Sequence, residues 1–171
     1  MGRIRSVLRA YALLDIPPEK VLELVDQKMQ HFELGTIATI AVAVTRAPFE
    51  TVRIATAGHL PPILAAPGAA PVVLPITPEP LLGAGLAERR SSSEFTFPPG
   101  SLMAMYTDGL VERRGEALDV GLERLRGIVA PESPHTLTGT IMRRLIGDAA
   151  PADDIALVLV RRATDSTDPT D

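Results

Sequence analysis

The run Thr36–Thr45, TIATIAVAVT, constrains this chain more than any other feature: it carries no charge and is apolar and β-branched throughout. Such a run reads as a strand buried on both faces, so a sheet must pass through the core. The residues before it follow a different period. Ile4, Val7, Leu8, Tyr11 and Leu14 fall at helical spacing over residues 3–15, and Val21, Leu22, Leu24, Val25, Met29 and Phe32 form an apolar stripe over 18–32. Pro17-Pro18 breaks the first helix and can open the second, giving a helical hairpin or one long helix bent at the prolines. Met1-Gly2 leads into the first pattern without a capping residue, as in a helix with more sequence before it.

After the run, turn chemistry spaces out further strands. Pro48 marks a turn before the strand Thr51–Ala57. Ile63–Ala66 and Val72–Leu74 flank a short loop, and residues 75–93 are rich in Pro, Gly and Ser and read as irregular. Glu94–Phe97 and Leu102–Thr107 are strands separated by Pro98-Pro99-Gly100, a turn signal. Helices are predicted over Val120–Val129 and Thr136–Ile146, and Ile155–Val160 closes the pattern as another buried-type strand. Helices, antiparallel strands, helices and a final strand give an α+β layered domain, with sheet packed on helices. The polar, acidic, Pro-interrupted segment 163–171 is expected to be a disordered tail behind one domain spanning 1–162.

Composition excludes several classes of function. The 171 residues contain no cysteine, which removes disulfide scaffolds, thiolate zinc sites and thiol nucleophiles. The formal charge of −4, without a long basic run, argues against nucleic acid or a polybasic membrane contact. The pairs Arg89-Arg90, Arg113-Arg114 and Arg143-Arg144 read as solvated surface. No apolar run is long enough to span a membrane, and a cytoplasmic location is expected. There is no Walker loop, no Gly-x-Gly-x-x-Gly after a strand, and no Gly-x-Ser-x-Gly elbow.

Two acidic points remain. Asp108 follows the strand LMAMYT and precedes Gly109, and Asp153-Asp154 directly precedes the strand IALVLV. Carboxylates at the ends of core strands can converge at one end of a sheet, where oxygen ligands suit Mg²⁺ or Mn²⁺. The same residues read equally as a turn dipeptide and a solvated loop. His59, in Ala57-Gly58-His59-Leu60-Pro61-Pro62, reads as an acid/base, a metal ligand or a turn-fixing residue.

These segments, in this order, resemble the SpoIIE/RsbU-type branch of the protein phosphatase type 2C superfamily. Ala57-Gly58-His59-Leu60-Pro61-Pro62 is similar to the family's "AGHPP", Leu81-Leu82-Gly83 to its "PLG" and Pro99-Gly100-Ser101-Leu102 to its "PGD". Tyr106-Thr107-Asp108-Gly109-Leu110-Val111-Glu112 resembles "YTDGLTE", and Asp153-Asp154-Ile155-Ala156-Leu157-Val158 resembles "DDxTLLV". The resemblance implies a four-layer α-β-β-α sandwich, two Mn²⁺ or Mg²⁺ ions per complete site, and hydrolysis of phosphoserine or phosphothreonine. It implies Asp108 and Asp153 as metal ligands, with Asp154 adjacent. Gly109 would allow close backbone approach, and Gly58 and His59 would be structural. The implied partner is a phosphorylated anti-anti-sigma (STAS) protein in bacterial stress signalling, with a homodimer or an upstream sensor domain as further associations.

The departures from the family pattern are specific. Family domains begin with a "GDWYD"-like strand and a "DVSGHG"-like segment, whereas this chain opens where the next helix is under way. Ser101 stands where "PGD" has Asp, and Ala156 where the last motif has Thr. The expectation is a fold lacking its first strands, a metal site short of carboxylates, weak metal binding and little turnover. A non-catalytic pseudophosphatase that docks a STAS-type protein is the alternative.

Overall fold

The structure, a computed structural model, describes residues 2–33, 35–86, 89–147 and 153–164. The chain divides into two compact units: Met1–His59 with Ile76–Thr96, and Leu60–Pro75 with Phe97–Asp171. Each unit pairs helices with an antiparallel sheet, the α+β architecture expected from the sequence.

In the first unit, helix α1 (Gly2–Ala12) packs on α2 (Pro18–Phe32). Pro18 sits in the first turn of α2, where its missing N–H costs nothing, and Glu19 complements the positive end of the helix dipole. Val21, Leu22, Val25 and Met29 are buried on one stripe of α2 and meet Ala55, Ala57 and Leu82. Strands β1 (Ile40–Val44), β2 (Thr51–Ala57) and β5 (Ser93–Thr96) form this sheet in the order β1-β2-β5. The register places Ile40 opposite Ala57 and Thr51 opposite Thr96.

The long apolar run departs from its sequence reading. Only Ile40–Val44 of Thr36–Thr45 is strand, and every residue of β1 is half-buried because β1 lies at the sheet edge. Upstream, Ala38 exchanges hydrogen bonds with Leu82, at 3.1 and 3.0 Å, in the segment expected to be irregular. Central β2, by contrast, buries both faces from Ile54 to Ala57. An apolar run does not specify which strands become the centre of a sheet.

In the second unit, β3 (Ile63–Ala65), β4 (Val72–Val73), β6 (Leu102–Tyr106) and β7 (Leu157–Arg161) form a sheet in the order β4-β3-β6-β7. Helices α3 (Leu118–Arg126) and α4 (Pro134–Leu145) contribute Leu125, Leu137, Ile141 and Leu145 to its core. From the sheet come Ile63, Ala65, Leu102, Ala104 and Tyr106. Burial pushes the Tyr106 phenol above its usual pKa, and its hydroxyl donates to the Pro61 carbonyl at 2.9 Å. Helix α3 ends at Arg126 rather than at Val129, but a tight turn bonded to Leu125 keeps Val129 buried. β7 also departs from its reading as a buried strand: Leu157 and Leu159 reach the core, while Val158 and Val160 are exposed.

Among the described residues, no helix is long and apolar enough to cross a membrane. The segment 163–171, expected to be a tail, lies outside the described residues from 165 onward.

Candidate functional site

Strand β6 runs out at Tyr106, opposite Leu157, where β7 begins. The chains stay paired one step further. The Thr107 N–H donates to the Ala156 carbonyl at 3.0 Å, and the Thr107 hydroxyl accepts the Ala156 N–H at 2.8 Å. The same hydroxyl donates to the Asp154 carbonyl at 3.1 Å. An antiparallel pair places the end of one strand beside the start of the other, so Asp108 and Asp153-Asp154 emerge at the same end of this sheet. The sequence alone had left this convergence open.

Each acidic segment is shaped by its own main chain. Asp108 opens a 3-10 turn, Asp108–Leu110, and its Oδ1 accepts the Gly109 N–H at 2.9 Å. The Asp108 carbonyl accepts from Val111 at 2.8 Å and from Glu112 at 2.7 Å. Asp153 Oδ1 accepts the Asp154 N–H at 2.7 Å. The side chains of Asp108, Asp153 and Asp154 are all exposed. Gly109 is where the two segments touch: a Cβ there would lie 2.7 Å from the Asp154 carbonyl oxygen and 3.1 Å from that of Asp153. Only glycine permits this approach without moving backbone.

Gly58 and His59 belong to the first unit. Gly58 follows β2 at φ 64°, donates its N–H to the Glu79 carbonyl at 2.8 Å, and has no room for a Cβ beside Leu81. His59 is half-buried.

Two features carry no sequence signal of their own. One is the Thr107 side chain, which reads only as a β-branched strand residue yet bonds both Asp154 and Ala156 across the gap. The other is Arg90, which the sequence places on a solvated surface. Its side chain is 1% exposed, and Nη2 donates to Asp26 Oδ2 at 2.7 Å while Nη1 donates to the Pro80 carbonyl at 2.8 Å. Asp26 Oδ1 also accepts the Gly83 N–H at 2.7 Å, and Glu79 takes the Ser91 N–H at 2.7 Å. Burial raises the Asp26 pKa, but the bonds from Arg90, Gly83 and Gln30 together hold it below the ordinary value. This knot ties residues 79–83 and 90–91 to α2, and the segment is irregular in structure, as composition had predicted.

The donor chemistry at Asp108 and Asp153-Asp154 suits a hard divalent cation. The donor number does not: among the described residues, no group of three or more His, Asp or Glu side chains is arranged to hold a metal ion.

The family model for Stage II sporulation protein E, SpoIIE, matches residues 1–163. No curated protein matches the chain. Among solved structures, the RsbU and RsbW domains of a Mycobacterium tuberculosis protein align with a TM-score of 0.83 at 24% identity, over 97% of this chain and 48% of that one. The PP2C phosphatase domain of Bacillus subtilis SpoIIE, with a fragment of its regulatory domain, aligns with a TM-score of 0.73 at 15% identity, over 94% and 48%. RsbX in complex with magnesium gives 0.70 at 17% identity, over 94% and 71%. The chain thus spans about half the length of two of these structures. By its sequence match over residues 1–163 the chain belongs to the SpoIIE family, and its fold is that of the PP2C phosphatase domain of Bacillus subtilis SpoIIE.

Proposed function

We propose that this chain serves the dephosphorylation of phosphoserine or phosphothreonine on a bacterial regulatory protein of the anti-anti-sigma (STAS) type. Asp108 and Asp153, with Asp154 adjacent, are the carboxylates it brings to a Mn²⁺ or Mg²⁺ site. The observation that carries this reading is the Thr107 bridge, which sets Asp108 beside Asp153-Asp154 at one end of a sheet. The metal choice is supported by oxygen-only donors. It is further supported by the magnesium named for RsbX and the manganese presoak named for a SpoIIE phosphatase domain. The partner class is supported by neighbours named for RsbU with RsbW and for the bacterial stressosome. Such a partner places the chain in the cytoplasm.

Because the described residues lack a group of three ligands, the chain on its own should bind Mn²⁺ weakly and turn over slowly. The test is Mn²⁺-dependent release of phosphate from a phosphorylated STAS protein, comparing the chain with Asp108→Asn. Residual activity abolished by Asp108→Asn is the expected result. Activity indifferent to that substitution removes Asp108 from the site and sinks the reading.

The same shortage of ligands favours a second reading, a non-catalytic module that docks the phosphorylated partner. It predicts binding that is equal with and without Mn²⁺ and equal in Asp108→Asn, with no phosphate released.

A further inference from the structure

Two of the three arginine pairs, Arg113-Arg114 and Arg143-Arg144, meet in the fold. Arg113 Nη2 donates to the Leu145 carbonyl at 2.5 Å, between segments far apart in the chain. That bond sets Arg113-Arg114 beside the last turn of α4, which carries Arg143 and Arg144. All four residues are exposed, and among the described residues none of them pairs with a carboxylate. Glu116, close by, is already taken by Arg124 at 2.9 Å, which leaves Glu112 as the acid next to the cluster. A chain of net charge −4 thus gathers positive charge at one place. Part of the cluster serves the fold. Arg113 satisfies an end carbonyl of α4, and Arg143 and Arg144 complement the negative end of its dipole. Arg114 has no such role. It stands at the tip of a turn closed by the Glu116 N–H on the Arg113 carbonyl at 3.0 Å, with Gly115 at φ 85°. Both ends of this turn are tied, by Arg113 to Leu145 and by Arg124 to Glu116. The main chain holds Arg114 in one place, and its guanidinium keeps its donors for a ligand.

We propose that Arg114, with Arg144 as its neighbour on α4, docks acidic side chains of the phosphoprotein substrate that flank its phosphorylated residue. The inference rests on the phosphoprotein reading above and adds the surface that selects the partner. Proximity to the candidate site supports it. The Glu112 N–H donates to the Asp108 carbonyl at 2.7 Å, and Arg114 follows shortly after in the chain. Backbone dimensions then keep the Arg114 Cα within about 11 Å of that carbonyl. The phosphorylated residue goes to Asp108 and Asp153, so the turn meets what lies next to it. Arginine suits that task, because its planar fork takes a carboxylate through parallel hydrogen bonds. The end of the sheet carries Asp108, Asp153 and Asp154, which repel an acidic partner, and the arginines offset that repulsion. The surface is built from a helix end and a loop, and no strand edge takes part in it.

The test is binding of a phosphorylated STAS protein to the full chain, without metal, read by fluorescence anisotropy over a salt series. Arg114→Glu should raise the dissociation constant by about tenfold or more and flatten its salt dependence. Arg144→Glu should give a smaller rise in the same direction, and Arg114→Lys should stay within about threefold of the parent. Arg9→Glu, an equal change of charge in the first unit, should leave binding unchanged. The unphosphorylated STAS protein should bind more weakly but show the same dependence on Arg114. Melting temperatures should match the parent, since the substituted residues are exposed. Should Arg114→Glu unfold, Arg144→Glu carries the same test. An effect of Arg114→Glu no greater than that of Arg9→Glu overturns the proposal and leaves the dephosphorylation reading standing. So does an Arg114 effect seen only with the phosphorylated protein, or displacement of the STAS protein by an equimolar DNA duplex. A parent chain that binds no STAS protein overturns the proposal and that reading together.

Discussion

In the first unit, Asp26 is buried and bonded by Arg90, Gly83 and Gln30; in the second, Asp108 and Asp153 are exposed, and each accepts the next residue's N–H. The contrast separates two uses of a carboxylate. A buried acid survives only with its oxygens satisfied, so Asp26 is committed to holding Gly83 and Arg90 on α2. An exposed acid fixed through its main chain spends little of its bonding capacity on the fold. Asp108 and Asp153 are therefore positioned by the Thr107 bridge and keep capacity for a ligand. Rigidity in the first unit comes from side-chain saturation, and in the second from two adjacent strand ends.

Substitutions can break this contrast, and the largest effect belongs to the buried pair. Asp26→Ala leaves the buried Arg90 with only the more distant Glu79 carboxylate, at 3.6 Å, and should cost about 3 kcal/mol in urea unfolding. A cost near that of a surface change would mean that the knot is open in solution. The same acid sets a pH signature. Its folded pKa is depressed, so its contribution is present above the unfolded value of about 4 and is lost as pH falls through the folded value. Thermal melts of the chain should show this decline below about pH 4, and Asp26→Asn should flatten it.

Gly109→Ala comes next. Its new Cβ would press on the Asp154 and Asp153 carbonyls, which are backbone and cannot rotate away. A loss of about 1–3 kcal/mol is expected in thermal unfolding, together with a fall in any Mn²⁺-dependent activity. Thr107→Val keeps the shape but leaves the Asp154 carbonyl and the Ala156 N–H without the hydroxyl, for about 1 kcal/mol. Hydrogen exchange at Ala156 should quicken in that variant. Asp108→Asn sits at the small end. Its stability should stay within about 0.5 kcal/mol of the parent, while Mn²⁺ affinity, read by calorimetry, should fall. A large stability loss there would make Asp108 a second Asp26 and dissolve the contrast.

Much of the local structure was legible in the chain. Pro18 at the head of an apolar stripe fixed the start of α2, and the run from Thr51 to Ala57 matches β2 at both ends. Asp108-Gly109 after a strand, and Asp153-Asp154 before one, marked the candidate site. Other features were hidden for a common reason. Arg90 reads as half of a surface Arg pair because its partner lies 64 residues away, and Thr107 meets Ala156 across 49 residues. The apolar runs that became β1 and β7 read as buried strands, yet both lie at sheet edges and are only partly covered.

The sequence by itself determined which segments are helix or strand, where the turns fall, and which acids stand at strand ends. These follow from spacing, β-branching and turn chemistry, which act between near neighbours. Only the tertiary structure decided the strand order, the burial of Arg90 on Asp26, and the meeting of Asp108 with Asp153-Asp154. Each of these depends on contacts between segments far apart in the chain, and no local preference encodes which distant partner a strand edge or a buried charge will find.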